Sequence, residues 1–428
     1  MSFDVALTGS ACPLRVDCSA AGSRTLREAF PMLRTSVKGK PLIYLNSAAT
    51  ALKPQCVIDA MTEYYQTYGV NIARGVDEIS YRATKTFEET RHKTANFLHA
   101  ARSEEIIFTR GTTASLNLVC RSFAETVVSA GDEIIVSSGE HHANYIPWQQ
   151  LARKVGAKFT VLPLDANGCV APDTLAAAIS DRTKIVAVFH ISNVMGACND
   201  LTALAAIAHA HGAYFIADGA QGIVHEQIDV QRAGVDFYAF SGHKLFGPTG
   251  IGVLYGKYDL LEQMEPIEYG GEMIDVVDVY TTTFAAPPHR FEAGTMPIAE
   301  VIGLGKAIDF VQATGYPLMQ ARVAALTDYL FKGLQAKPSI SLYNPHNLAG
   351  GIASFNVSGI HPHDVAGIYD RAGISVRAGQ HCSQPMMRAL HQQATLRVSL
   401  GFYNTFEEID RFLEITTEAG DFLDVLFG

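Results

Sequence analysis

The chain has 428 residues, with 33 Lys and Arg against 43 Asp and Glu, a formal net charge of −10, and 48% hydrophobic residues. This is a globular composition with apolar material for more than one core, which excludes disorder as the dominant state. The acidic balance excludes a nucleic-acid protein, which needs a basic footprint, and no run of about 18 apolar residues predicts a membrane span.

Residues 1–25 are irregular and lack the basic start and apolar core of a secretory signal, so a flexible N-terminal extension is expected there. The seven cysteines are Cys12, Cys18, Cys56, Cys120, Cys169, Cys198 and Cys382. Their odd number and the lack of a C-x-x-C pair predict neither a disulfide framework nor a metal site, and fit a reducing cytoplasm. From about residue 100 to 255 strands alternate with helices. EEIIFTR reads as a strand, TTASLNLVCRSFAE as a helix, DEIIVSS as a strand running into the polar loop EHHANY, and KIVAVFHIS as a strand. A helix follows from Asp200 to His211, with Asn199 or Asp200 as cap and Gly212 as left-handed stop. AYFIAD and DFYAFSGHK are further strands. These strands are continuous apolar runs, the pattern of a parallel sheet covered on both faces, and so of an α/β fold. Beyond residue 310 come a helix over Tyr316–Gln335, the segments GGIASFNV, HPHDVAGIYDRAG, ISVRAG and TLRVSLGFYN, and a last helix whose Thr405 and Glu408 fit a capping box. The sparser alternation predicts a small α+β domain.

Polar side chains gather just past the strand ends of the first region: His141, Asn193, Asp218, Gln221, Ser241, His243 and Lys244. Open α/β sheets bind ligands along that edge. Lys244 stands among small residues and glycines in AFSGHKLFGPTGIGVLYG, where a desolvated lysine acquires a depressed pKa and can form a Schiff base. Asp218 ends the strand AYFIAD. A pyridoxal phosphate enzyme needs an acid to keep the pyridinium nitrogen protonated and a lysine for the Schiff base, and these two strand ends supply both. Gln221 is placed to reach the ring oxygen. Gly111, Thr112 and Thr113 open a helix whose free amides suit a phosphate, with Ser241 and His243 as further donors. Cys382, in the loop SVRAGQHCSQP, has Arg377 and His381 nearby, and positive neighbours favour a thiolate. Arg377 and Arg397 suit a substrate carboxylate.

Together EHHANYIPWQ, HISNVMG, ADGAQ, FSGHKLFGPTGIGVLYG, RFEAGT and RAGQHCSQP resemble the pyridoxal-phosphate-dependent cysteine desulfurases of the aminotransferase class V group, in particular the SufS-like branch. The resemblance runs from LREAFPML at Leu26 to the C-terminus. It implies fold type I: a large cofactor-binding domain over residues 46–310 with a mostly parallel seven-stranded sheet, and a small α+β domain over 311–428 carrying the cysteine loop. Residues 26–45 would pack with the small domain. It further implies that Lys244 carries the cofactor, that Asp218 and Gln221 meet its ring, and that His141 stacks on it and serves catalysis. Thr112, Thr113, Ser241 and His243 would hold the phosphate. Thr295 would reach the cofactor of the other subunit of a homodimer. Asn193, Arg377 and Arg397 would position L-cysteine, and Cys382 would form a persulfide. The sulfur would pass to a SufE-like or SufU-like acceptor for iron–sulfur cluster assembly.

Several positions depart from the family pattern. Ala73-Arg74-Gly75 stands for an HRG-type stretch, and Asp77-Glu78-Ile79 for His-Thr-Leu. Gln380, Met296 and the Asn46-Ser47 of YLNSAAT also differ. These bear on acceptor and substrate choice more than on cofactor chemistry. Alternative readings are a selenocysteine or cysteine-sulfinate lyase, a lyase or epimerase of the same fold with no persulfide step, and a binding scaffold with a vestigial site.

Overall fold

The computed structural model describes residues 26–420, so the expected N-terminal extension lies outside the described residues. The central sheet contains β1 (Ile106–Thr109), β2 (Glu133–Ser137), β3 (Lys158–Leu162), β4 (Thr183–Phe189), β5 (Tyr214–Asp218), β6 (Phe237–Ser241) and β7 (Gly252–Gly256). Their spatial order is β1-β7-β6-β5-β4-β2-β3. Strands β2 to β6 pair in parallel, and β7 runs antiparallel to both β6 and β1. The fold is thus the expected α/β type, with a mostly parallel seven-stranded sheet. Both faces are covered, as the continuous apolar strands required. Val186, Val188, Phe215 and Ala217 enter one core cluster, while Ile185, Ala187 and Ile216 enter another. Alternate residues of a strand point to opposite faces, so one apolar run feeds two cores.

The chain order reverses where β2 and β4 lie side by side, because β3 leaves on the far side of β2. The loops after β2 and β4 therefore diverge and open a crevice at the carboxyl ends. Register aligns the adjacent ends, with Phe189 opposite Asp218 and Asp218 opposite Ala239. Asp200 caps the helix Leu201–Ala210 by accepting from Ala203 N at 3.0 Å, and Gly212 beyond it has φ 70°. The helix expected over TTASLNLVCRSFAE is interrupted: an α-helical stretch, Thr112–Leu118, widens into a π-helical turn over Val119–Ala124.

Helix α1 (Ile298–Thr314) is buried almost all round, as an apolar helix without a polar face must be. One residue, Gly315 (φ 81°), joins it to α2 (Tyr316–Gln335). A second, antiparallel sheet follows, made of β8 (Ile340–Leu342), β9 (Ile352–Val357), β10 (Arg377–Gly379) and β11 (Thr395–Ser399) in the order β8-β9-β11-β10. Its own core includes Phe355, Tyr369, Leu396 and Phe412. The segment leading in from residue 26 is tied to this part. Ile43 and Tyr44 pair in parallel with Ile374 and Ser375, and Arg27 bonds Glu408 at 2.6 Å. The last helix (Phe406–Gly420) has the expected capping box. Glu408 N donates to Thr405 Oγ1 and Thr405 N to Glu408 Oε2, each at 3.2 Å. Among the described residues no helix is long and apolar enough to cross a membrane.

Candidate active site

The crevice holds a cavity of about 180 Å³. The central sheet supplies Asp218 from the end of β5, with Ser241, His243 and Lys244 from the end of β6 and the turn after it. The loops after β2 and β4 supply His141 and Asn193, and the helix opening after β1 supplies Thr112 and Thr113. The second sheet closes the cavity with Arg377, His381 and Arg397.

Each group is tuned by where the fold puts it. Burial pulls the Lys244 ammonium down to about 8, against the attraction of Asp218. Burial also raises the Asp218 carboxyl above its ordinary range; Oδ1 accepts one hydrogen bond, from Ala220 N at 2.9 Å. His141 and His243 are pushed down to about 3 and about 4, first by burial and then by the Lys244 charge. Both are therefore neutral, and His141 Nδ1 accepts from Ala143 N at 3.1 Å. The Ser241 hydroxyl accepts from Thr112 N at 2.8 Å and meets Thr112 Oγ1 at 2.7 Å, which locks the helix start to the end of β6. Glycine is required here: a Cβ on Gly252 would come within 2.3 Å of Gly111 Cα.

Arg377 and Arg397 lie directly opposite each other across β10 and β11. A like-charge cross-strand pair is unfavourable on its own and marks a site built for an anion. Arg397 is 1% exposed, and burial with Arg377 alongside pulls it down to about 9. Its Nη1 donates to Asn193 O at 2.8 Å, while Nε and Nη2 have no protein partner.

The cavity fits pyridoxal phosphate on this chemistry: a buried carboxyl for a cationic ring nitrogen, a desolvated lysine, hydroxyls at a helix start for a phosphate, and a neutral imidazole. The guanidinium hydrogens that lack a partner suit a substrate carboxylate.

Cys382 sits on a loop between β10 and β11, on the wall of a second, outer cavity of about 480 Å³ that shares Thr113 and His141 with the inner one. Arg377 Nη2 donates to its Sγ at 3.5 Å. His381 does not act as the positive neighbour that its sequence position suggests. Burial holds it at about 3, so the ring is neutral; its Nε2 donates to Thr395 O at 3.1 Å and meets Thr395 Oγ1 at 2.9 Å. Two other expected residues lie off the inner wall. The Gln221 amide donates to Ala48 O at 2.8 Å, and Thr295 is exposed at the surface.

Glu140 and Lys53 carry no local signal in the sequence. Glu140, next to His141 in the chain, is fully buried and raised by burial to about 8; it accepts from Asn144 Nδ2 at 2.7 Å and Phe189 N at 3.1 Å. Lys53, lowered by burial to about 8, donates to Thr50 Oγ1 and to His243 O. In RFEAGT, Glu292 grips the buried Arg91 with two bonds of 2.7 and 2.8 Å and accepts from Phe108 N. Two departures from the family pattern have structural uses. Asp77 caps the helix Glu78–Leu98, and Gln380 Oε1 accepts from Gln384 Nε2 at 2.7 Å across the cysteine loop.

The aminotransferase class-V family model matches residues 43–412. The chain belongs to that family. A probable cysteine desulfurase of Halalkalibacterium halodurans is 48% identical over 90% of this chain and 95% of its own length. One from Staphylococcus aureus strain Mu50 is 45% identical over 93% and 97%. The crystal structure of the cysteine desulfurase CsdA from Escherichia coli superposes with a TM-score of 0.87 at 38% identity, covering 94% of this chain and 98% of that one. The class-V match spans both sheets, so the two arginines and Cys382 fall within it.

Proposed function

We propose that the protein is a pyridoxal-phosphate-dependent cysteine desulfurase of the SufS-like branch, converting L-cysteine to L-alanine and carrying the sulfur as a persulfide on Cys382. The observation that carries this reading is the juxtaposition, across two sheets, of a desolvated lysine, a buried carboxyl, a pair of arginines lining the same cavity and a thiol. The relatives named cysteine desulfurase support it.

Asp218 would hold the cofactor ring, with His141 against its face; Gln221, bonded to Ala48 O at the cavity edge, would reach the ring oxygen with its second amide hydrogen. Thr112, Thr113, Ser241 and His243 would hold the phosphate. When bound, the cofactor supplies an electron sink for negative charge at the substrate Cα. Arg397 and Arg377 bind the substrate carboxylate, and Asn193 helps to orient the substrate. Lys244 Nζ, whose depressed pKa makes the free amine accessible near neutral pH, takes the Cα proton. The Cys382 thiolate, beside Arg377, attacks the substrate sulfur. The new S–S bond forms as the C–S bond breaks, the bonding pair stays on carbon, and the carbon takes up a proton on the way to alanine. The persulfide then passes to an acceptor of the SufE-like or SufU-like kind, serving iron–sulfur cluster assembly in the cytoplasm. The enzyme works as a homodimer in which the exposed Thr295 serves the second subunit's site.

The test is release of alanine and sulfide from L-cysteine with a reductant present. Equal yields from wild type, and none from Lys244→Ala or Cys382→Ala, are expected. Full turnover by Cys382→Ala would instead indicate a lyase with no persulfide step.

A further inference from the structure

Cys382 occupies backbone that has to be held in place. His381 and Cys382 have φ of 52° and 55°, two successive left-handed residues with side chains, a conformation that persists only where surroundings impose it. Within the loop, Ser383 N donates to Gln380 O and Gln384 Nε2 to Gln380 Oε1. Those bonds shape the turn without fixing it to the rest of the protein.

The His381 ring ties the loop to Thr395 on β11, and the remaining anchors come from the central-sheet loops. Asn193 Nδ2 donates to His381 O at 2.8 Å, and Ser383 Oγ donates to Glu140 O at 2.9 Å. His142 makes two bonds to the loop, one at Cys382 itself and one at Gln384, two residues on. Its backbone N–H donates to Cys382 O at 2.7 Å, and its ring Nε2 accepts from Gln384 N at 3.2 Å. The neighbouring histidines thus divide the work. His141 faces both cavities, whereas His142 lines only the outer one, beside Cys382.

We propose that His142 is a positioning residue that latches the Cys382 loop, holding the thiol on the wall of the outer cavity. The role rests on the reading of Cys382 as the sulfur carrier. His142 acts through the loop and touches no reacting atom. Its ring accepts a hydrogen bond, so Nε2 must be unprotonated and the proton sits on Nδ1; partial burial, which lowers its pKa, favours that form.

The test measures how fast iodoacetamide alkylates Cys382 in the cofactor-loaded enzyme, located by mass spectrometry, for wild type, His142→Ala and His142→Gln. Cofactor absorbance and thermal midpoint report that each variant is folded. His142→Ala removes the ring acceptor and leaves the backbone bond, so alkylation should accelerate about three- to tenfold. His142→Gln, which restores an acceptor, should recover much of the difference. The kcat should fall by a similar factor in His142→Ala at unchanged KM for L-cysteine. Alkylation of His142→Ala at the wild-type rate, or equal acceleration by the Ala and Gln variants, would overturn the latch. Retained turnover in Cys382→Ala would sink the persulfide reading and leave the alkylation result standing, so the two failures are distinguishable.

Discussion

Lys244 and Cys382 are held in contrasting ways. The lysine follows β6 in the interior of the central sheet, and the peptide before it is pinned by several donors. His243 O accepts from Ala51 N, Thr50 Oγ1 and Lys53 Nζ at 3.0 to 3.1 Å, and Gly242 N donates to Ile251 O. Cys382 instead sits on a left-handed turn outside the strands, tied to the rest of the molecule mainly by bonds from two loops. The difference suits the two tasks proposed for these residues. A proton acceptor has to stay within reach of one Cα, so rigidity helps it. A sulfur carrier has to serve a substrate in the inner cavity and an acceptor arriving from outside, and a loop meets both demands better than a strand.

The largest effect is expected at Lys244. Lys244→Ala should lower alanine formation by about 10³-fold or more while Cys382 stays alkylatable, because the proton step and the thiol are held by separate elements. The arginine pair tests whether the second sheet shapes the substrate site. Arg397→Lys should lower kcat/KM for L-cysteine by about 100-fold, since a point charge cannot reproduce a bidentate grip. Arg377→Lys, at the less buried partner, should cost about tenfold and also slow Cys382 alkylation, as its bond to Sγ weakens.

Acid stability depends on the cysteine loop. His381, almost fully buried in the cysteine loop, is held neutral at about 3, below its ordinary 6.5. Below pH 6.5 the unfolded chain takes up a proton that the folded protein refuses. The contribution is therefore intact above pH 6.5 and is lost as pH falls toward 3. By pH 5 the loss is about 2 kcal/mol for this one residue. Urea midpoints against pH should fall less steeply for His381→Gln than for wild type; parallel curves would show that the ring is not buried neutral. The smallest effect belongs to a site far from both groups. Thr405→Ala removes one arm of the capping box and should cost about 1 kcal/mol of stability while leaving turnover per folded molecule unchanged.

The two regions also differ in how much the sequence reveals. Asp218 and Lys244 are legible because a strand end followed by small residues is a local signal, and both stand where that signal places them. The alignment of Arg377 with Arg397 is not legible, because register joins segments 20 residues apart through a loop whose shape no local rule dictates. His381 reads as a cation in the sequence because burial is invisible there. Glu140 and Lys53 escape notice for a related reason. Their partners, Phe189 N for Glu140 and His243 O for Lys53, are remote in the chain, and only the assembled fold gives either residue a role. The π-helical turn over Val119–Ala124 carries no Pro or Gly to announce it.

The proposed chemistry has sulfur leaving L-cysteine as a persulfide on Cys382. The most direct measurement is peptide mass spectrometry of the cofactor-loaded enzyme after one turnover with L-cysteine in the absence of reductant. One added sulfur atom on the peptide bearing Cys382, absent in Lys244→Ala, is the predicted result. Alanine formed in equal amount with Cys382 unmodified would mean that sulfur leaves without a persulfide on this residue.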